Sequence, residues 1–64
     1  MRDFKQEIDD TDDARLLREI LSELAAEIEA LEDSPYEDDA LYERIHDLEL
    51  ILRYAENKIE RLLA

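Results

Sequence analysis

The chain has no cysteine, no glycine and a single proline among its 64 residues. Without cysteine it cannot form a disulfide or a thiolate metal site. Without glycine it has few residues suited to the positive φ angles that tight β-hairpin turns require. No apolar run approaches the roughly 18 residues that span a membrane, and the N-terminus lacks the hydrophobic stretch of a signal peptide. These absences predict a soluble, all-α protein, and a cytoplasmic one if the protein is natural.

Basic residues are also scarce, because 8 Lys and Arg stand against 20 Asp and Glu and give a net charge of −12. The whole excess lies in residues 1–47, since the acidic and basic residues of 48–64 balance. A field of this sign repels nucleic acid and anionic membranes, so we expect the protein to bind neither directly. It favours a protein partner with a basic surface. The alternative is that the carboxylates only keep a small helical protein soluble.

What the sequence does contain is two apolar heptad patterns. The first is formed by Ala14, Leu17, Leu21, Leu24, Ile28 and Leu31, and the second by Leu41, Ile45, Leu48, Leu52, Ala55, Ile59 and Leu62. Apolar residues that alternate at spacings of three and four lie on one face of a helix. The patterns therefore predict helices over 11–32 and 35–63 in a single domain, 1–64.

A capping box marks the turn between the two predicted helices, at 33–34. Ser34, Pro35 and Glu37 supply an N-cap hydroxyl, a proline at the first helical position and a glutamate at the third. Because a residue before proline avoids the helical region, the first helix should end before Ser34 and the second should begin at Pro35. Thr11 is the corresponding N-cap candidate for the first helix.

A turn this short predicts an antiparallel helical hairpin. Residues 1–10 place Phe4 and Ile8 four residues apart, which is compatible with either a short helical turn or an extended arm. We expect these residues at the open end of the hairpin, beside Leu62 and Leu63, which would make a small three-helix unit. The acidic start of the first helix should also meet Lys58 and Arg61 at the end of the second.

The sequence offers little for catalysis. His46 is the only histidine, and Ser22, Ser34 and Thr11 are the only hydroxyl residues besides tyrosine. No nucleophile and base stand in a recognisable arrangement, so we expect no enzyme and no cofactor. Glu43 and His46 have the Glu-x-x-His spacing of di-iron bundles, but Ile45 holds the core line between them. The pair should therefore face solvent, and no metal site is predicted.

The outer face of the second helix carries an unexpected apolar residue. At 100° per residue, Leu50 lies about 180° from the core line. Five further side chains lie within about 80° of it, and with it they form the predicted partner-binding site: Tyr42, His46, Leu50, Arg53, Tyr54 and Asn57. Tyrosine, arginine and an apolar anchor are typical of interface hot spots. Alternatively, Tyr42 borders the core and Leu50 packs on the N-terminal arm or on another copy.

Three functions are compatible with these features. The first is a non-enzymatic protein-interaction module, including a binder or inhibitor, that uses the Leu50 surface. The second is a homodimer that assembles into a four-helix bundle, because two apolar stripes bury little surface for 64 residues. Its core would include Leu16, Ile20 and Ile51. The third is an acidic mimic of nucleic acid that inhibits a basic DNA- or RNA-binding protein.

Residues 11–64 resemble de novo designed helical bundles and binders in the style of their sequence. The heptads are uninterrupted, the turn contains Ser-Pro-x-Glu, and glycine and cysteine are absent. Two lysines, an Asp-rich start and the outward Leu50 depart from that style. The resemblance implies a helical bundle and, because of Leu50, a designed binder rather than a bare scaffold. The architecture is also similar to natural two-helix regulators and secretion co-chaperones.

Overall fold

The computed structural model describes residues 2–35 and 38–64 of the chain. Within these residues the protein folds into three α-helices: α1 (Phe4–Asp9), α2 (Ala14–Glu32) and α3 (Asp39–Leu63). Each helix contacts the other two, and the contact between α2 and α3 is the most extensive. The predicted all-α class is confirmed.

The N-terminal segment is a helix rather than an extended arm. Asp3 is the N-cap of α1, and its carboxylate accepts a hydrogen bond from the backbone amide of Gln6 at 3.1 Å. Phe4 and Ile8 lie one helical turn apart on the same face of α1, and both are buried. The spacing of these two apolar residues therefore reflects a helix that packs against the rest of the protein.

The start of α2 differs from the prediction. Thr11 does not cap this helix, because its hydroxyl donates to the carbonyl of Glu7 at 2.7 Å and so closes the end of α1. The N-cap is Asp13, whose backbone is extended and whose carboxylate accepts from the amide of Arg15 at 2.8 Å. The end of a helix leaves carbonyls without partners and the start of the next leaves amides without partners. Thr11 binds a carbonyl at the end of α1, and Asp13 binds an amide at the start of α2.

The start of α3 also corrects the prediction, which placed it at Pro35. The helix begins at Asp39, after the N-cap Asp38, whose backbone is extended and whose carboxylate accepts from the amide of Leu41 at 2.7 Å. Ser34 instead follows the last turn of α2, where its amide donates to the carbonyl of Leu31 at 3.2 Å. Aspartate is as good an N-cap as serine, so the sequence contained two competing start signals. Tyr36 and Glu37, the rest of the predicted capping box, lie outside the described residues.

The core of the described residues contains two clusters of buried side chains, and each cluster draws on α1, α2 and α3. The first, which we call the Leu48 cluster, is Phe4, Leu24, Ile28 and Leu48. The second, the Ala55 cluster, is Ile8, Leu17, Ala55 and Ile59. Ile20 and Ile51 are half-buried and pack against both clusters, so the two form one continuous core.

This arrangement corrects the predicted position of the N-terminal segment. Phe4 packs with Leu24 and Leu48, near the middle of α2 and α3, and not beside Leu62 and Leu63. Both leucines at the end of α3 are exposed. α1 therefore lies along α2 and α3 and supplies two of the eight buried apolar side chains in the described part of the chain.

Lys58 of α3 joins the end of α1 to α3 by hydrogen bonds. Its ammonium donates to the backbone carbonyls of Ile8 at 2.7 Å and Asp9 at 3.2 Å, and it lies 3.4 Å from a carboxylate oxygen of Asp12. A cation near the last carbonyls of a helix satisfies their free acceptors and opposes the negative end of the helix dipole. Of the two basic residues predicted to meet the acidic start of α2, Lys58 does so through Asp12. Arg61 makes no ion pair with it among the described residues.

Candidate functional site

All six residues of the predicted partner-binding site are exposed on α3. Leu50 retains 54% of its accessible surface, which is the value of a side chain that the fold leaves in solvent. Tyr54 is covered further, to 36% exposure, because α1 lies beside it. Leu50 belongs to neither core cluster and stays largely exposed, so packing on α1 does not bury it.

Five of the six residues border three different surface depressions, whereas Asn57 is simply exposed on α3. Leu50 and Tyr54 line a shallow depression of about 430 Å³ between α3 and α1. Tyr42 and His46 line a neighbouring depression of about 450 Å³. Arg53 borders a third, of about 320 Å³, on the side of α3 that faces α2.

Four residues that the prediction did not include complete the first depression, which we call the Leu50 depression. These are Lys5, Arg44, Asp47 and Ile51. Asp47 lies about 60° from Leu50 on the helix, so the helical geometry of α3 alone could have included it. Lys5 belongs to α1, and no feature of the sequence indicated where α1 packs.

Tyr54 is held by two side chains of α1. Its phenol donates a hydrogen bond to the carboxylate of Asp9, and the ammonium of Lys5 lies 5.5 Å from the centre of its ring. Lys5 in turn lies 3.5 Å from a carboxylate oxygen of Asp9. These contacts fix the wall of the Leu50 depression that Tyr54 forms, so the depression is present before any partner binds.

The contact between Tyr54 and Asp9 shifts both pKa values in the folded protein. The hydrogen bond from Tyr54 lowers the pKa of Asp9 below its usual 3.8, and the same bond raises the pKa of Tyr54 above 10. The lowered pKa of Asp9 means that the contact stabilises the fold above pH 3.8 and is lost as the pH falls through the lowered value. The raised pKa of Tyr54 means that the contact persists below pH 10 and is lost as the pH rises through the raised value.

Tyr54→Phe should therefore raise the pKa of Asp9 toward its usual value, because it removes the phenol that donates to the ionised carboxylate. The measurement is a pH titration of the Asp9 carboxyl carbon by NMR. Tyr42→Phe makes the same chemical change elsewhere on α3 and should leave the titration of Asp9 unaltered. Equal titration curves for the wild type and Tyr54→Phe would show that the contact does not exist in solution.

The ion pairs among the described residues lie around α1. Arg2 bonds Glu7 at 2.6 Å and Glu23 at 2.5 Å, and its guanidinium stacks 4.4 Å from the centre of the Phe4 ring. The Arg2 guanidinium lowers the pKa of Glu7 by hydrogen bonding to its carboxylate. These contacts attach the start of α1 to α2, as Lys58 attaches its end to α3.

The described residues hold no group of three or more His, Cys, Asp and Glu side chains placed to bind a metal ion. His46 and Glu43 border the same surface depression and are both exposed, as the prediction for the outer face of α3 required. No helix in the described ranges is long and apolar enough to cross a membrane.

The fold and the surface together define a small all-α protein in which the exposed Leu50 borders a preformed depression. Comparison of the chain with models of protein families, with curated proteins and with solved structures finds no match.

Proposed function

We propose that the protein is a non-enzymatic interaction module that binds a protein partner through the outer face of α3, around Leu50. The observation that carries the proposal is the exposed Leu50 beside a depression whose far wall, Tyr54, is fixed by α1. Because the depression is already formed, this protein loses little conformational freedom when an apolar side chain of a partner fills it. Interface hot spots have this combination of apolar, tyrosine and arginine side chains around a central anchor.

We further infer that α2 and α3 form an antiparallel hairpin against which α1 packs. The clusters support this inference, because Ile28, late in α2, shares a cluster with Leu48, in the first half of α3. Leu17, early in α2, shares the other cluster with Ile59, late in α3. In this arrangement the inner face of α3 packs against α2, and the outer face of α3 is left for a partner.

Charge around Leu50 differs from the charge of the whole protein. The Leu50 depression is bordered by Lys5 and Arg44 as well as Asp47, although the net charge of the chain is −12. A partner seated on Leu50 therefore meets both signs of charge. A basic partner surface is favoured only where the contact extends to the acidic remainder of the protein.

The packing gives less support to the four-helix bundle that buries Leu16, Ile20 and Ile51. Ile20 and Ile51 already pack against the protein's own core clusters, and both are half-buried. Of the three, Leu16 alone is largely exposed, at 48%. One exposed leucine on a protein surface needs no partner to explain it.

Photo-crosslinking from position 50 tests the proposed interaction. A benzoylphenylalanine placed at Leu50 should capture a protein partner in a lysate. The same residue placed at Leu16, a leucine of similar exposure on α2, should not. Leu50→Asp, which carries no probe, should weaken binding to the captured partner at least tenfold, because it places a charge at the apolar anchor. Its helical circular dichroism should match the wild type.

Equal capture from positions 50 and 16 would contradict the assignment to the α3 face. Binding that is unchanged by Leu50→Asp would contradict it as well. Capture of a basic nucleic-acid-binding protein that weakens steeply with salt would instead favour the nucleic-acid mimic.

A further inference from the structure

The charges on the outer face of α3 are ordered along the helix. Asp39, Glu43 and Asp47 precede Leu50, whereas Arg53 and Arg61 follow it. At 100° per residue all five lie within about 60° of Leu50, so they share its face. The face is acidic toward the start of α3 and basic toward its end.

These five side chains take part in no ion pair or side-chain hydrogen bond within residues 2–35 and 38–64. In the same ranges Arg2, Lys5 and Lys58 are each paired with carboxylates of the protein itself. The charges around Leu50 are therefore free to pair with a second molecule, whereas those around α1 stabilise the fold.

The spacing of the residues along this face is the same in both directions from Leu50. Seven positions follow one line at spacings of four, three, four, four, three and four: Asp39, Glu43, His46, Leu50, Tyr54, Asn57 and Arg61. Leu50 also lies one residue from the midpoint of α3. A second α3 that runs in the opposite direction across Leu50 would overlap this helix over almost its full length.

We propose that the partner of the Leu50 surface is a second copy of this chain, bound by antiparallel pairing of the two α3 helices about a two-fold axis at Leu50. This inference rests on the proposed function and names its partner. The two-fold axis at Leu50 places each residue opposite a residue of the second copy, and the two residue numbers of every such pair add up to 100. Asp47 then faces Arg53 of the second copy, and Asp39 faces Arg61 of the second copy, each pair occurring twice.

The proposed pairing also reduces the local repulsion between two chains of charge −12. Four of the eight basic residues of the chain, Lys5, Arg44, Arg53 and Arg61, lie on or beside this face. Elsewhere two copies would bring carboxylates together, and like charges in an interface oppose binding.

Leu50 meets Leu50 of the second copy at the axis, and Tyr54 meets His46 of the second copy on either side. Such an interface is small, so the dimer should be weak.

Charge reversal at positions 47 and 53 tests the pairing. Sedimentation equilibrium of the wild type from roughly 10 μM to 1 mM covers the range of a weak dimer. The wild type should dimerise in this range. Arg53→Asp and Asp47→Arg should each weaken self-association at least tenfold, because each creates two like-charge pairs across the axis. Arg18→Asp changes the net charge as Arg53→Asp does, but lies on α2, and should leave the association unchanged.

An equal mixture of the two reversal variants should form heterodimers about as strongly as the wild type forms homodimers. Positions 47 and 53 are both arginine in one variant and both aspartate in the other, so every pair across the axis is attractive. Helical circular dichroism of each variant establishes that it is folded. A second readout is the mass of the crosslinked product from benzoylphenylalanine at Leu50 in the purified protein, which should be twice that of the chain.

Three results would overturn the inference: a monomeric wild type up to 1 mM, a dimer that neither reversal weakens, or reversal variants that do not combine. If the purified chain is monomeric but the probe at Leu50 captures another protein in a lysate, the second copy is wrong and the interaction module stands. If neither the chain nor a lysate protein is captured from Leu50, both proposals fail.

Discussion

Leu48→Ala is expected to lower the free energy of unfolding by about 2–5 kcal/mol, the usual cost of emptying a buried leucine site. Leu48 has no exposed surface and joins all three helices through Phe4, Leu24 and Ile28. A chain of this length has a stability of only about 3–10 kcal/mol. The variant should therefore lose a large share of its stability and melt at a clearly lower temperature than the wild type, which a thermal melt followed by helical circular dichroism measures.

Leu50→Ala is the matched control for that experiment. It removes the same atoms from the same helix two residues away, but at a side chain that is 54% exposed. Exposed substitutions away from special features change stability by less than about 0.5 kcal/mol. Equal melting curves for Leu48→Ala and Leu50→Ala would show that the faces of α3 are assigned wrongly, and the interaction surface would then be part of the core.

Phe4→Ala is expected to cost about 3–5 kcal/mol, because a buried aromatic ring leaves the largest cavity in a core. Phe4 is the α1 residue of the Leu48 cluster, and its ring also lies beneath the guanidinium of Arg2. α1 has only six residues, so it has little helical stability apart from its packing. The thermal melt should shift strongly, and the amides of α1 should exchange with solvent faster than those of α2.

Gln6→Ala provides the comparison on the same short helix. Gln6 is exposed, and alanine is a good helix former, so the change should alter the melting temperature little. A Phe4→Ala protein as stable as Gln6→Ala would mean that α1 does not pack on α2 and α3 in solution. The Leu50 depression would then lose Lys5 and the hydrogen bond that positions Tyr54.

Helix α1 connects the core to the proposed interaction surface. The core holds α1 in place through the buried Phe4 and Ile8. At the surface, Lys58 bonds to the end of α1 and Arg2 joins its start to α2. The same helix presents Asp9 and Lys5 to Tyr54. A core substitution that releases α1 should therefore weaken binding at Leu50 without touching any residue of the α3 face.

The sequence alone determined the helical class and the inner faces of the two long helices. Leu17, Leu24 and Ile28 of the first heptad line are buried, as are Leu48, Ala55 and Ile59 of the second. Heptad spacing is sufficient for this because side chains three and four residues apart lie on one side of a helix whatever the tertiary structure. The same geometry placed Leu50 on the opposite side, where it is exposed.

Helix starts could not be decided from the sequence. Thr11 and Ser34 are good N-cap residues, yet Asp13 and Asp38 perform the role. Aspartate and serine stabilise an N-terminus by similar amounts, so local preference does not choose between neighbouring candidates. The choice depends on where the chain must turn for the helices to pack.

The tertiary structure alone decided the position of α1 and, with it, the composition of the surface around Leu50. Ten residues with three apolar side chains do not specify which groove they enter, because the spacing within one segment does not report which neighbours it packs against. Once Phe4 and Ile8 are buried in separate clusters, Lys5 and Asp9 must lie beside Tyr54. Periodicity along a helix determines which face is inside, whereas contacts between helices depend on packing that no single segment encodes.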